Sequence, residues 1–208
     1  MIWYQWLAII ALVFCLSNCF YHFFRIISLG NPPEYARRAG NIGKAVRYSF
    51  TGAMSPRVKE SAYLHMPTYL AGIIYHIGTF LAIFLFIIFL LNVSFAGWII
   101  MIFITIMGTS TLCGLGILIK RMSNHELRTL SNPDDYISNI LVTVFQGVTA
   151  MAMLFPGLWA TYFIIASILL LYFPLGKLKH AVYFFAARYH LGYFYGWRGV
   201  WPPKPQNK

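Results

Sequence analysis

Residues 61–119 read SAYLHMPTYLAGIIYHIGTFLAIFLFIIFLLNVSFAGWIIMIFITIMGTSTLCGLGILI, without one Asp, Glu, Lys or Arg. Hydrocarbon penalises charge, and a helix needs about 20 apolar residues to cross it. This stretch therefore holds two crossings, divided at the uncharged turn from Asn92 to Gly97. Two further charge-free stretches flank it, from Met1 to Phe24 and from Tyr136 to Gly176. The first is long enough for one crossing and the second for two. The pattern predicts an all-α integral membrane protein, a five-helix bundle with spans at roughly 2–27, 67–91, 98–119, 135–155 and 158–187.

Local signals agree with these boundaries. Pro67 suits the first turn of a helix, where its missing N–H has no partner to lose. Asn132-Pro133-Asp134-Asp135 opens the fourth span with acids at the positive end of the helix dipole. Phe155-Pro156-Gly157 makes a tight turn before the fifth span, which is expected to run through Pro174 with a kink. Residues 1–188 form one membrane domain. Residues 189–208 follow as a cytoplasmic tail, extended and flexible at Trp201-Pro202-Pro203-Lys204-Pro205. The basic loop between the first two spans could carry a short interfacial helix from Gly43 to Phe50. The first span lacks a basic leader segment and is longer than a signal-peptide core, so it is expected to be retained.

The chain has 208 residues, 59% hydrophobic and 10% charged, with a mean hydropathy of +0.65. A soluble domain carries about 25% charged residues, so no sizeable soluble domain is expected. The net charge of +11 resembles a nucleic-acid footprint only until it is mapped. With the five spans placed, all 16 Lys and Arg residues fall on one side. That is the positive-inside pattern, with the N-terminus outside and the C-terminus cytoplasmic. The basicity is read as topology and attraction to anionic lipid, not as nucleic-acid binding. Trp3, Trp6, Trp98 and Trp159 mark the outer boundary as an aromatic belt. The three cysteines, Cys15, Cys19 and Cys113, sit in apolar spans without C-x-x-C-H or paired C-x-x-C spacing. Covalent haem and iron–sulfur ligation are therefore not expected in this chain.

Six histidines remain as candidate chemistry. His125 and His190 fall in polar inner segments, His22 near the inner end of the first span, and His65 just before the second. His76 lies about 15 Å into the second span at the helical rise. His180 falls near the inner end of the fifth, about 10 Å below the surface by the same rise. The two spans run in opposite directions, so the two imidazoles are expected at similar depth. Ionisable groups inside a membrane are costly and point to function. Two imidazoles across a bundle suit the axial positions of a b-type haem, with the macrocycle between helices. Gly72, Gly78 and Gly176 would make room for it, and Lys177, Lys179 and Arg188 could pair with its propionates. Intramembrane histidines also serve proton relays and ion sites, or bond a backbone carbonyl. The residues alone leave these open.

Three segments carry a family resemblance: Tyr75-His76-Ile77-Gly78, Asn132-Pro133-Asp134-Asp135-Tyr136, and Phe173-Pro174-Leu175-Gly176-Lys177-Leu178-Lys179-His180. With the five-span layout, they resemble the membrane cytochrome b subunits of respiratory nitrate reductase (its gamma subunit) and of the heterodisulfide reductase and dissimilatory sulfite reductase-associated complexes. The resemblance covers most of the chain. It implies a multi-pass subunit of a prokaryotic cytoplasmic membrane, with His76 and His180 as haem iron ligands. Two-haem relatives place a second histidine about ten residues further along the second span and another about eighteen before the last ligand. Phe86 and Tyr162 stand there in this chain, which implies one haem b, the inner one. An arrangement using His65 and His76 for two haems is the alternative.

The family passes electrons between membrane quinone, here taken as menaquinone, and a cytoplasmic iron–sulfur partner of the heterodisulfide reductase type. This chain is then the quinone-reactive electron-transfer subunit of an oxidoreductase complex rather than a complete enzyme. Quinone chemistry needs a proton-exchanging group near the quinone oxygens. The outer half offers no carboxylate, Lys or His. The inner half offers His65, Tyr63, His22, Lys59 and Glu60, so quinone is expected on that side, with His65 and Tyr63 exchanging protons. Arg37, Arg38, Arg47 and Arg57 form a basic surface for the partner's acidic one. The competing readings are a transporter or channel, with Gln146, Thr149 and His76 as a polar path, and a haem-free structural anchor.

Overall fold

The computed structural model describes residues 2–29, 34–55 and 65–203. Their regular secondary structure is all helical, with no strand. The helices are α1 (Trp3–Leu29), α2 (Ile42–Phe50), α3 (Met66–Leu90), α4 (Gly97–Ser123), α5 (His125–Thr129), α6 (Pro133–Leu154), α7 (Trp159–Tyr172) and α8 (His180–Trp197). Among the described residues, α1, α3, α4 and α6 are each long and apolar enough to cross a membrane. The count is 5 if α7 and α8, together with the short turns beside them, form one broken span.

The expected fifth span is not continuous. α7 stops at Tyr172, and a 3₁₀ turn at Lys177–Lys179 precedes α8. Pro174 lacks the N–H that a continuing helix would use. The amides of Leu175 and Gly176 both turn back to the Tyr172 carbonyl, at 3.0 and 2.9 Å. Gly176 packs closely in that turn: a Cβ there would lie 2.3 Å from the Tyr172 ring, which would have to shift. His180 thus opens a new helix rather than lying within a long one. That helix then runs ten residues past the expected end of the span, to Trp197.

The chain divides into two compact units, one from Met1–Leu16 with Met66–Leu178 and the other from Ser17–His65 with Lys179–Lys208. In the first, α4 packs on α3 and α6, and α6 on α7. α6 starts with a reciprocal cap: the Asp135 amide donates to Asn132 Oδ1 at 3.1 Å, and the Asn132 amide to Asp135 Oδ2 at 3.0 Å. Asp135 is buried and is paired with Arg121 at 3.4 Å and with Lys177. The N-terminal half of α1 buries Gln5, Ala8, Ala11 and Cys15, one helical stripe. Tyr4 stacks on Phe163 at 5.5 Å, and Gln5 Nε2 donates to Asn92 Oδ1 at 3.0 Å.

In the second unit α2 lies on α8. Asn41 caps α2 by accepting from the Lys44 amide at 2.9 Å. The contact is made through glycines: a Cβ on Gly192 would meet Val46 Cα at 2.5 Å, and one on Gly196 would meet Ala45 Cβ at 2.6 Å. These two form a G-x-x-x-G pair, a spacing that lets helix backbones approach closely. Upstream of α2 the chain is pinned to the end of α8. The Ala39 amide donates to the Trp197 carbonyl at 2.8 Å, the Trp197 indole to the Ala36 carbonyl at 2.6 Å, and Arg198 pairs with Glu34 at 2.8 Å. Residues 189–197, read as the start of the tail after the membrane domain, are therefore helical and packed. Gly199, at φ 69°, ends α8 in the left-handed conformation that favours glycine.

Candidate functional site

His76 lies on α3 between the half-buried Tyr75 and the exposed Ile77. Tyr75 points into the first unit, where its hydroxyl donates to the Asn139 carbonyl at 3.1 Å and lies 3.0 Å from Thr143 Oγ1. His76, one position on, is exposed and stacks on Phe80 at 6.5 Å. Gly72, one turn before it, has no atom within 4 Å of where a Cβ would lie. The exposed face around His76 thus carries Ile73, Ile77 and Phe80, with space left at Gly72. The other two glycines expected to make room for a macrocycle are filled by the protein itself. A Cβ on Gly78 would fall 2.0 Å from Ser110 Oγ, and Gly176 sits against Tyr172.

His180 opens α8 and is exposed. Tyr183, one turn later, meets the His22 ring edge-on at 6.2 Å. Arg188, on the same helix, holds its guanidinium 5.5 Å from the Phe184 ring centre, and its carbonyl accepts from Ser49 Oγ at 2.8 Å. Lys179 is half-buried just before α8. Lys177 belongs to the first unit, where the Asp135 carboxylate accepts from it. An anion-binding role for Lys177 would have to compete with that pair.

His65 is exposed immediately before α3, and Tyr63 lies outside the described residues. His125 is exposed at the start of α5. His190 has a buried Nε2 with no hydrogen-bond partner among the described residues. No group of three or more metal-ligating side chains occurs among the described residues. A pair of imidazoles with two macrocycle faces to fill does not need one.

Phe86 and Tyr162 are packed into the core. They are 3% and 0% exposed, among Phe145, Phe163, Phe89 and Trp159. The Tyr162 ring stacks on Phe145 at 5.8 Å. Its hydroxyl is buried against Thr149 without a hydrogen bond of ordinary geometry. Side chains thus fill the space around both residues. A cavity of about 380 Å³ opens beyond this cluster, lined by Tyr4, Gln5, Phe89, Asn92, Trp159 and Phe163 among others. Phe89 is about 20 Å along α3 from His76 at the helical rise, so this cavity is remote from that imidazole.

Gln146 and Thr149, which the sequence offers only as part of a transporter's polar path, lie in a polar core behind His76, and its bonds between helices are not evident from the sequence. Gln146, fully buried on α6, donates from Nε2 to the Tyr75 carbonyl at 3.1 Å and to Thr79 Oγ1 at 2.8 Å. Its Oε1 accepts from Ser110 Oγ at 2.7 Å. Thr149 donates within its own helix, to the Phe145 carbonyl at 2.6 Å. The available signal was three helices each carrying small or polar residues, Gly78, Ser110 with Gly114, and Gln146, inside apolar runs. Comparison with protein-family models, with curated proteins and with solved structures finds no match for this chain.

Proposed function

We propose that this chain is a membrane cytochrome b subunit, carrying electrons between a membrane quinone of the menaquinone class and a cytoplasmic iron–sulfur partner of the heterodisulfide reductase type. It crosses the prokaryotic cytoplasmic membrane with its N-terminus outside and its basic segments inside. The observation that carries the reading is His76. An ionisable imidazole stands midway along a charge-free helix long enough to span a bilayer, exposed, with open space at Gly72 one turn before it.

His76 and His180 would each hold the iron through one imidazole nitrogen, and both side chains are exposed on their own helices. Bound there, haem b supplies a one-electron carrier. Lys179 and Arg188, beside and on α8, would pair with its propionates. His65, with Tyr63, remains the candidate for exchanging a proton with quinone at the inner side. Arg37, Arg38 and Arg47 are exposed and suit an acidic partner surface. A transporter path through Gln146 and Thr149 has less support, because both side chains are already engaged by neighbouring helices or their own backbone.

The test is a reduced-minus-oxidised spectrum of the purified protein, with haem measured per chain, for the wild type and for His76→Ala and His180→Ala. One low-spin b haem, lost in both variants, is expected. A wild-type protein without haem would end this reading.

A further inference from the structure

α3 is apolar on every side, and lipid is as apolar as the neighbouring helices. Burial alone therefore does little to decide which face of α3 turns inward. Successive residues lie about 100° apart around a helix, so a rotation of about 100° would bring His76 where Tyr75 is now. Polar bonds across the bundle are what distinguish the two registers. They converge on the residues flanking His76. Gln146 donates to the Tyr75 carbonyl and to Thr79, and Ser110 donates to Gln146 while lying 3.3 Å from the carbonyls of both Ile74 and Tyr75. Gly78 completes the fit, because only a residue without a Cβ leaves space for the Ser110 side chain.

We propose that Gln146 and Ser110 are positioning residues for His76: they hold the rotation of α3 that presents the imidazole on the Gly72 face. Both act through the α3 backbone and Thr79. The inference rests on the haem reading for its purpose, and on the hydrogen bonds alone for its geometry. In the register they hold, the inward face contains Tyr75, Gly78, Thr79 and Ala82, and the outward face contains Gly72, Ile73, His76 and Phe80. Leucine at 146 would keep most of the volume and remove all three bonds.

The experiment compares the wild-type full chain with Gln146→Leu and Ser110→Ala. Helicity and thermal melting report folding. Haem affinity and the electron paramagnetic resonance spectrum of the ferric haem report ligand orientation. Loss of a group that orients a ligand commonly weakens metal affinity about 10-fold, and Gln146→Leu is expected to show a loss of that order with shifted g-values and helicity retained. Ser110→Ala, which leaves both Gln146 bonds to α3 in place, is expected to shift the same spectrum by less. It decides the matter where Gln146→Leu does not fold. Wild-type affinity and an unchanged spectrum in whichever of these variants folds would overturn the proposal.

A haemless wild type defeats the haem reading but not this one. A spin label on His76→Cys, with Cys15, Cys19 and Cys113 replaced by Ser, then reads the register directly. Its accessibility to oxygen dissolved in the membrane should fall when Gln146 becomes Leu. An unaltered label would sink the proposal.

Discussion

Arg121 Nη1 lies 3.4 Å from Asp135 Oδ1, so the last turn of α4 is tied to the first turn of α6 through a carboxylate that is almost wholly buried. The same carboxylate caps its own helix through the Asn132 amide and accepts from Lys177. Cap and charge can be separated by substitution. Asp135→Asn keeps an oxygen for the Asn132 amide and loses the ion pairs. Both cations are a third or more exposed, at 33% and 51%, so solvent screens the loss to about 1 kcal/mol. Asp135→Ala removes the cap as well and should cost about 1 kcal/mol more. Thermal melting of the purified protein checks the order. Raising the salt to about 1 M should narrow the gap between wild type and Asp135→Asn.

Gly78 is where α3 accepts α4. A Cβ there would lie 2.0 Å from Ser110 Oγ and 2.3 Å from Ser110 Cβ. Gly78→Ala should therefore cost about 1–3 kcal/mol by overpacking. Ser110→Ala should not rescue it, because the Cβ clash remains, whereas Ser110→Gly should. Melting of the two double variants distinguishes them.

Much of the architecture is visible in the sequence because charge avoidance is so strong in lipid. The starts of α3 and α6 fall where Pro67 and Asn132-Pro133 predict them. What stayed hidden depends on pairs of residues far apart in the chain. Pro174 reads as a kink in a continuous span, whereas the chain breaks there, with the Leu175 and Gly176 amides turned back onto the Tyr172 carbonyl. Gly192 and Gly196 read only as part of the tail that follows the membrane domain until α2 is found against them. His76 is conspicuous as an ionisable residue in an apolar span. The direction it faces is set by Gln146 and Ser110, which no local pattern around His76 reveals.

Tyr162 carries a hydroxyl that is desolvated without an ordinary hydrogen bond. Such a group costs stability rather than adding to it. Tyr162→Phe keeps the stacking on Phe145 and should leave the protein unchanged or up to about 1 kcal/mol more stable. A large loss on melting would mean that the hydroxyl has a partner of its own, such as Thr149.

The packing of α2 on α8 gives a sharp contrast between two glycines. A Cβ at Gly192 would meet Val46 Cα at 2.5 Å, a backbone atom that cannot rotate away. Gly192→Ala should separate α2 from α8, seen as faster amide exchange and proteolysis across residues 42–50. At Gly43 the nearest atom is Asn41 Oδ1 at 3.5 Å, an ordinary contact. Gly43→Ala should leave exchange unchanged or slow it, since alanine favours helix by up to about 1 kcal/mol.

Gly72 separates a structural role from a cofactor role. Nothing lies within 4 Å of its missing Cβ, so Gly72→Leu should fold normally, and the helix should gain up to about 1 kcal/mol from the better helix former. A leucine one turn before His76 would nevertheless stand on the face proposed for the macrocycle. Haem content should fall in Gly72→Leu while melting of the haem-free protein holds or rises. Gly116 is equally open but lies on α4. Gly116→Leu should leave haem content at the wild-type level. If Gly72→Leu also retains full haem content, the macrocycle does not lie across Gly72, and His76 must be approached from its Phe80 side.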